Sequence, residues 1–352
     1  AQGLYAQVAS LDPHNARALR QMAVIYRKQG DWRQAGMLLE RAQQTVTRDC
    51  DKAAILTDLG DLLQRVPDQD TKRVAYYQRA FEADASYLPA LNALEKLYDG
   101  NDMTVELVDV LDHKAKALAA AGGAELAEVH LRRAKLLELV LGQVEQAAAA
   151  YRGVLDADAG NVLAMCGLER MYRSQQRWSE LNDVLEMHHD VAPTERERIE
   201  LSMQIAALQD EQFMRPDVAA RRLELVVEVA ADNMPAFEAL SVCYRKLRHY
   251  NSYIDCLRRS LHAAASTAAK IAILSDIADT YQEQLLDEQM ALGVYREIIA
   301  LDAEHVATLS SLAKLYARID EPAKAVRYMT RAAELATDAA QRVDAFYNIG
   351  TQ

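Results

Sequence analysis

The feature that most constrains this chain is a segment that returns at a fixed long period of about 72 residues. Tyr5–Leu19 (YAQVASLDPHNARAL) aligns with Tyr77–Leu91 (YQRAFEADASYLPAL), Tyr151–Met165 (YRGVLDADAGNVLAM) and Tyr295–Leu309 (YREIIALDAEHVATL). A weaker copy runs from Leu223 to Phe237 (LELVVEVAADNMPAF). Asp12, Asp84, Asp158, Ala230 and Asp302 serve as anchors, and the second interval alone is slightly longer than the others. A chain with such a period folds as a stack of like units, because a unit that cannot bury its apolar face alone buries it against its neighbours.

Other positions keep the same register. Fourteen positions beyond each anchor stand Tyr26, Tyr98, Tyr172, Tyr244 and Tyr316. Twenty beyond stand Trp32, Thr104, Trp178, Tyr250 and Pro322, and twenty-seven beyond stand Leu39, Leu111, Leu185, Leu257 and Met329. The repeating unit is about twice the length of one helical hairpin and divides into two. The second half opens with Ala53–Leu63, Glu125–Leu137, Arg198–Leu208 and Lys270–Tyr281, each apolar at i, i+3, i+4 and i+7. Nine complete hairpins follow, at 14–47, 51–84, 86–121, 124–157, 160–192, 195–230, 232–265, 267–302 and 304–337, with half a hairpin at each end. Asp12-Pro13, Gly122-Gly123, Asp158 to Asn161, Pro193 and Asp320 to Pro322 break the helical pattern between them. No linker interrupts the run, so residues 1–352 read as one continuous array. Strand-like alternation is nearly absent, and only 13 Gly and 7 Pro occur, so the expected class is all-α.

The stretch from Leu19 to Ala35, with Leu39 and Ala42 after it, places Ala23, Tyr26, Gly30, Trp32 and Ala35 in an order that resembles a tetratricopeptide repeat. Leu56, Leu59, Gly60, Ala80, Asp84 and Pro89 extend the likeness into the next hairpin. The likeness spans nearly the whole chain and is strongest in the first, fifth and ninth hairpins. Hairpins 86–121 and 195–230 depart from it, and the mean hairpin exceeds the family's usual length of about 34 residues. The resemblance implies a right-handed α-solenoid of stacked hairpins that holds another protein. The recurrent tyrosines and leucines read as seam-filling core rather than an aromatic cage, since a structural position recurs in every copy.

Chemistry finds little foothold. Phosphate-binding, dinucleotide-binding, zinc-protease and nucleophile-elbow motifs are all missing, and a chain without strands lacks the turns they need. His188 and His189 diverge by about 100° on a helix and cannot converge on one metal unaided. The carboxylates read as exposed residues near Lys or Arg, Glu138 among them. Catalysis, a metal and a cofactor are therefore not expected. The four cysteines, Cys50, Cys166, Cys243 and Cys256, form no CxxC pair and read as small buried hydrophobes, favouring the cytosol, although a Cys243–Cys256 bridge is conceivable in an oxidising compartment. The chain opens without Met in the second half of a hairpin, so upstream sequence is expected and the periplasm or another compartment stays open. No apolar run reaches membrane-span length.

What remains is surface. In stacks of this family the first helix of each hairpin lines the concave side. Outward positions of those helices in the odd hairpins carry Arg20, Arg27, Lys28, Lys96, Arg170, Arg173, Arg245, Lys246, Lys314 and Arg318, a basic ladder on a chain of net charge -12. The even hairpins carry Asp58, Asp61, His130, Arg133, Asp210, Asp276 and Asp279, mostly acidic. Arg20, Arg27, Lys96, Arg170, Arg173, Arg245 and Lys314 are the candidate partner-binding residues, in a groove striped with both signs. Asn92 beside Lys96 does not complete the Lys-Asn-Lys arrangement of family members that hold a terminal carboxylate. The expected function is a scaffold or adaptor for a protein segment, including an acidic one. A regulatory or substrate-recruiting region of a larger enzyme is the alternative. RNA binding fits poorly with the acidic balance and the missing base-reading pairs.

Overall fold

The computed structural model describes residues 11–64 and 69–335, together with Tyr5, Gln7 and Val8. Among the described residues there are eighteen α-helices and no strand. They run α1 (Ala16–Gln29), α2 (Trp32–Thr45), α3 (Asp49–Leu63), α4 (Asp70–Ala83), α5 (Leu88–Gly100), α6 (Thr104–Leu118), α7 (Ala124–Leu139), α8 (Val144–Ala157) and α9 (Val162–Ser174). Then come α10 (Trp178–Val191), α11 (Glu195–Glu211), α12 (Pro216–Val229), α13 (Met234–Lys246), α14 (Tyr250–Ser260), α15 (Thr267–Glu283), α16 (Glu288–Leu301), α17 (Val306–Arg318) and α18 (Pro322–Leu335). Taken in twos they are the nine expected hairpins. At the N-terminal end Tyr5, Gln7, Val8 and Leu11 are helical, whereas the half-hairpin expected after residue 337 lies outside the described residues.

The chain forms two compact units, Ala1–Val184 and Leu185–Gln352, with the division falling inside α10. Within each, helices pack on their sequence neighbours and, thinly, on the next helix but one. That is the nearest-neighbour wiring of a repeat array. In the first unit Leu19, Leu39, Ile55 and Leu59 form one core cluster, and Tyr77, Leu91, Tyr98 and Leu111 another. In the second, Leu223, Phe237 and Leu240 form one, and Ile277, Tyr295, Leu312 and Tyr316 another.

The periodic residues have distinct structural duties. The anchor aspartates sit between double hairpins, where Asp12, Asp84, Asp158 and Asp302 each accept a hydrogen bond from the backbone N–H two residues on, at 3.0–3.3 Å. Such Asx turns end one helix and aim the next. Ala230 holds the same place without that acceptor. Three residues on, Asn15, Asn161 and Asn233 cap α1, α9 and α13 by accepting from the third backbone N–H.

Inside the hairpins the turns share another device. The carbonyls of Tyr26, Tyr98, Tyr172, Tyr244 and Tyr316 each accept from the backbone N–H five residues on. This closure passes through one left-handed residue. Gly30 takes it freely, but Asp102, Gln176, Arg248 and Asp320 also hold it, with φ between 55° and 58°, and in the turns of the alternate hairpins Gly142, Met214 and Leu286 are left-handed as well. The side chains of the tyrosine series fill the seams: Tyr98, Tyr172 and Tyr316 are buried, Tyr26 and Tyr244 half-buried. Their hydroxyls reach back twenty positions, Tyr98 accepting from Gln78, Tyr316 from Arg296, and Tyr244 donating to Glu224.

Two cysteines differ from expectation. Cys243 and Cys256 are buried, but Cys50 in the first turn of α3 and Cys166 on α9 are exposed, because their helix faces point away from the seams. All four are free thiols. Burial pushes Cys243 up to about 11 and Cys256 up to about 12, so both stay protonated.

Candidate functional site

The ladder cations do not stand alone: several are held by carboxylates one hairpin away. Arg20 on α1 donates through Nε to Asp58 on α3 at 2.6 Å, and Arg27 lies 3.7 Å from Asp61 and 4.0 Å from Asp58. Asp61 also accepts from the Tyr77 hydroxyl at 2.8 Å. The basic stripe of one hairpin and the acidic stripe of the next are therefore partly each other's counter-ions. Lys246 repeats the pattern with Asp210 at 2.6 Å, and Arg318 with Glu288.

Arg170 makes the strongest such contact. Its Nε and one terminal nitrogen grip Glu138 at 2.7 and 2.8 Å, a two-pronged guanidinium–carboxylate pair. Glu138 also accepts from Tyr151 at 2.8 Å. The expectation that Glu138 is a solvated surface acid is thus corrected, since its side chain is only 12% exposed. The Arg170 hydrogen bonds hold its carboxyl below the ordinary glutamate range, with the Tyr151 hydroxyl assisting against desolvation. Burial, reinforced by Glu138, raises the Tyr151 phenol far above its usual value.

The remaining ladder residues are more open. Lys96 and Lys314 are exposed and have no polar partner among the described residues, and Arg173 is exposed. Beside Lys96, Glu95 is consumed by Lys114 at 2.8 Å and Arg132 at 2.7 Å. Arg245 lies 5.6 Å from the Tyr253 ring centre, a cation–π distance. It borders a pocket of about 300 Å³ between α13, α14 and α15, where Tyr250 and Tyr253 face Asp276, Asp279 and Glu283. Asp279 is partly engaged, accepting from Tyr295 at 3.0 Å.

Of the two histidines, His189 lies 3.6 Å from Asp190, while the nearby Glu186 grips Arg222 with both oxygens at 2.5 and 2.6 Å. Among the described residues no group of three or more His, Cys, Asp or Glu side chains is placed to hold a metal. No described helix is long and apolar enough to cross a membrane.

A tetratricopeptide-repeat profile matches residues 18–53 and 308–343. The chain contains tetratricopeptide repeats. The first match covers most of α1, all of α2 and the start of α3, and the second takes in most of α17 and all of α18, so the family pattern is present in both compact units. The fold is that of a protein-interaction repeat scaffold. No curated protein sequence matches the chain. Among solved structures, YrrB, a tetratricopeptide-repeat protein with an unusual peptide-binding site, is 18% identical over 63% of this chain and 92% of its own, with a TM-score of 0.27. Yeast Tom70 is 13% identical over 99% of this chain and 84% of its own, at 0.32. A tetratricopeptide-repeat protein from Parabacteroides merdae is 12% identical over 96% and 99%, at 0.33. Superposition at these scores supports no detail of site or partner.

The inter-hairpin pairing escapes a reading of outward helix positions alone. A signal for it exists in the sequence, since the separation is 38 between Arg20 and Asp58 and 36 between Asp210 and Lys246, each close to one hairpin length.

Proposed function

We propose that these repeats hold a segment of a partner protein against their first helices, and that the segment carries charges of both signs. The observation that carries this reading is the pocket around Arg245. One wall offers a guanidinium and two phenol rings, the opposite wall three carboxylates, in a space open to solvent. An acidic side chain fits beside Arg245, and a lysine or arginine one step along the segment fits Asp276 and Glu283. Exposed Lys96 and Lys314 are further contacts for acidic residues. Arg20, Arg27 and Arg170 act mainly within the scaffold and set the position of the helices that bear the groove.

The test is capture of tiled peptides by the full chain, followed by Arg245→Glu and Glu283→Lys variants. Both should keep wild-type helicity, because Glu283 is exposed and loss of the Arg245 contact with the Tyr253 ring costs only about 0.5–1 kcal/mol. The captured peptides should be mixed in charge, bind more weakly to each variant and release with added salt. Peptides that bind both variants as they bind the wild type would refute the placement.

A further inference from the structure

A second pocket lies elsewhere in the unit Leu185–Gln352, between the end of α10, the first half of α11 and the outer face of α12. It has a volume of about 480 Å³ and opens to solvent. Ile199, Val218, Leu225, Val226 and Val229 give it apolar walls, and Leu225 and Val229 are 64% and 58% exposed. Solvent-facing leucine and valine around a concavity mark a contact surface more often than a solitary exposed apolar residue does.

Comparison of the repeat units explains why the hollow exists. Its floor is Ser202. One double hairpin earlier the corresponding residue is His130, whose ring lies so close to Gly153 that a Cβ there would meet it at 2.9 Å. One double hairpin later it is Leu274, buried, and the equivalent hollow shrinks to about 370 Å³. A serine where its counterparts carry bulk leaves space. It also leaves a hydroxyl without a protein partner: Ser202 lines the pocket, has no hydrogen-bond partner among the described residues and is reached by the solvent in the hollow. Such a hydroxyl can exchange its water for something supplied from outside that accepts its hydrogen bond.

The rim says what that something is. Arg221 is neutralised by Asp217 at 3.0 Å and Arg222 by Glu186 at 2.5 Å. Arg198 has no partner among the described residues, and it stands four positions before Ser202, on the same face of α11. Glu195, the one carboxylate at the mouth, sits in the first turn of α11, where the helix N-terminus offsets its charge. A guanidinium and a hydroxyl donor one helical turn apart, beside an apolar wall, complement a carboxylate next to a large apolar side chain.

We propose that this pocket receives an aspartate or glutamate and an adjoining leucine, isoleucine or phenylalanine from a partner protein segment, the carboxylate accepting from Ser202 and Arg198. This site is separate from the groove around Arg245 and stands without it.

Peptides selected from a phage-displayed random library on the full chain provide the probe. An enriched class pairing an acidic residue with a large apolar neighbour is expected. Its binding, read by fluorescence anisotropy, should fall about tenfold or more in Ser202→Leu and in Arg198→Ala. It should be unchanged in Arg245→Glu, which reports only on the other groove. Ser202→Leu introduces the residue present at position 274 and should keep helicity, and Arg198→Ala alters an exposed rim residue, so the pair guards against a folding artefact. Enrichment of no such class, or binding indifferent to both substitutions, overturns the proposal. So does displacement of the probe by dodecanoate when no selected peptide responds to Ser202→Leu, since the pocket would then serve a small amphiphilic acid.

Discussion

The pairing of Arg20 with Asp58 predicts a measurable coupling between two helices that are not adjacent in sequence. The nitrogen–oxygen distance is 2.6 Å, with the arginine side chain 31% exposed and the aspartate 12%. Solvated pairs contribute about 0.2–1 kcal/mol, whereas breaking a fully buried pair costs about 3–5 kcal/mol. This pair lies between those limits. Arg27 approaches Asp58 only to 4.0 Å and gives partial compensation when Arg20 is removed. Arg20→Ala should therefore destabilise the first hairpins by about 2 kcal/mol, with a coupling of about 1–1.5 kcal/mol in a cycle with Asp58→Asn. Urea is the denaturant of choice, because guanidinium would screen the pair. The chain has two tryptophans, Trp32 on α2 and Trp178 on α10. In a Trp178→Phe background, Trp32 fluorescence follows the hairpin that carries Arg20, which matters because repeat arrays open piecewise. A coupling below about 0.3 kcal/mol would show that the stripes are solvated separately and that the inter-hairpin clasp contributes nothing.

Two further outcomes follow from single side chains. Glu138 has a folded-state pKa below its unfolded value, so its ionised form stabilises the fold above about pH 5, and this contribution is lost as pH falls through the depressed folded value. Glu138→Gln should be less stable by about 1–2 kcal/mol at pH 7 and show a flatter decline between about pH 5 and 3, read as melting temperature by circular dichroism; an unchanged acid limb would sink the assignment. Leu286 holds φ at 54° with its side chain 76% exposed, so Leu286→Gly should raise stability by about 0.5–1 kcal/mol, the relief of left-handed strain exceeding the entropy glycine adds to the unfolded chain. A lower melting temperature would mean that the leucine makes a contact worth more than the strain.

The hairpins are legible in the sequence because two independent periods encode them. Helical spacing of apolar residues gives each helix its buried face, and the long-period return of Tyr, Leu and Asp marks the seams. The duties of those residues are less visible. Asp84 announces a boundary in the sequence, but that its carboxylate receives the Ser86 N–H depends on local backbone geometry. The left-handed turns are announced at Gly30 and hidden at Met214 and Leu286, since nothing in those side chains favours positive φ. Cys50 and Cys166 escape the expectation of burial because a small residue inside an apolar pattern is ambiguous. The charge stripes can be read, yet their meaning turns on which helix faces which. That depends on the rotation of neighbouring hairpins, a tertiary quantity that spacing within one helix does not contain. The hollow at Ser202 emerges from comparison between copies, where one serine stands against His130 and Leu274.

Contact restricted to adjacent helices also bears on how such a molecule accumulates change. In a globular core every side chain shares its neighbours with most of the domain, and a substitution that opens a void strains the whole. Here the residues that feel the loss of bulk at Ser202 belong to α10, α11 and α12, and the clusters built around Tyr77 or Ile277 lie outside that neighbourhood. Damage stays where it falls. The same insulation lets one copy of a duplicated unit drift toward a private specificity while its sisters keep the architecture standing, so redundancy in this chain is the raw material of novelty.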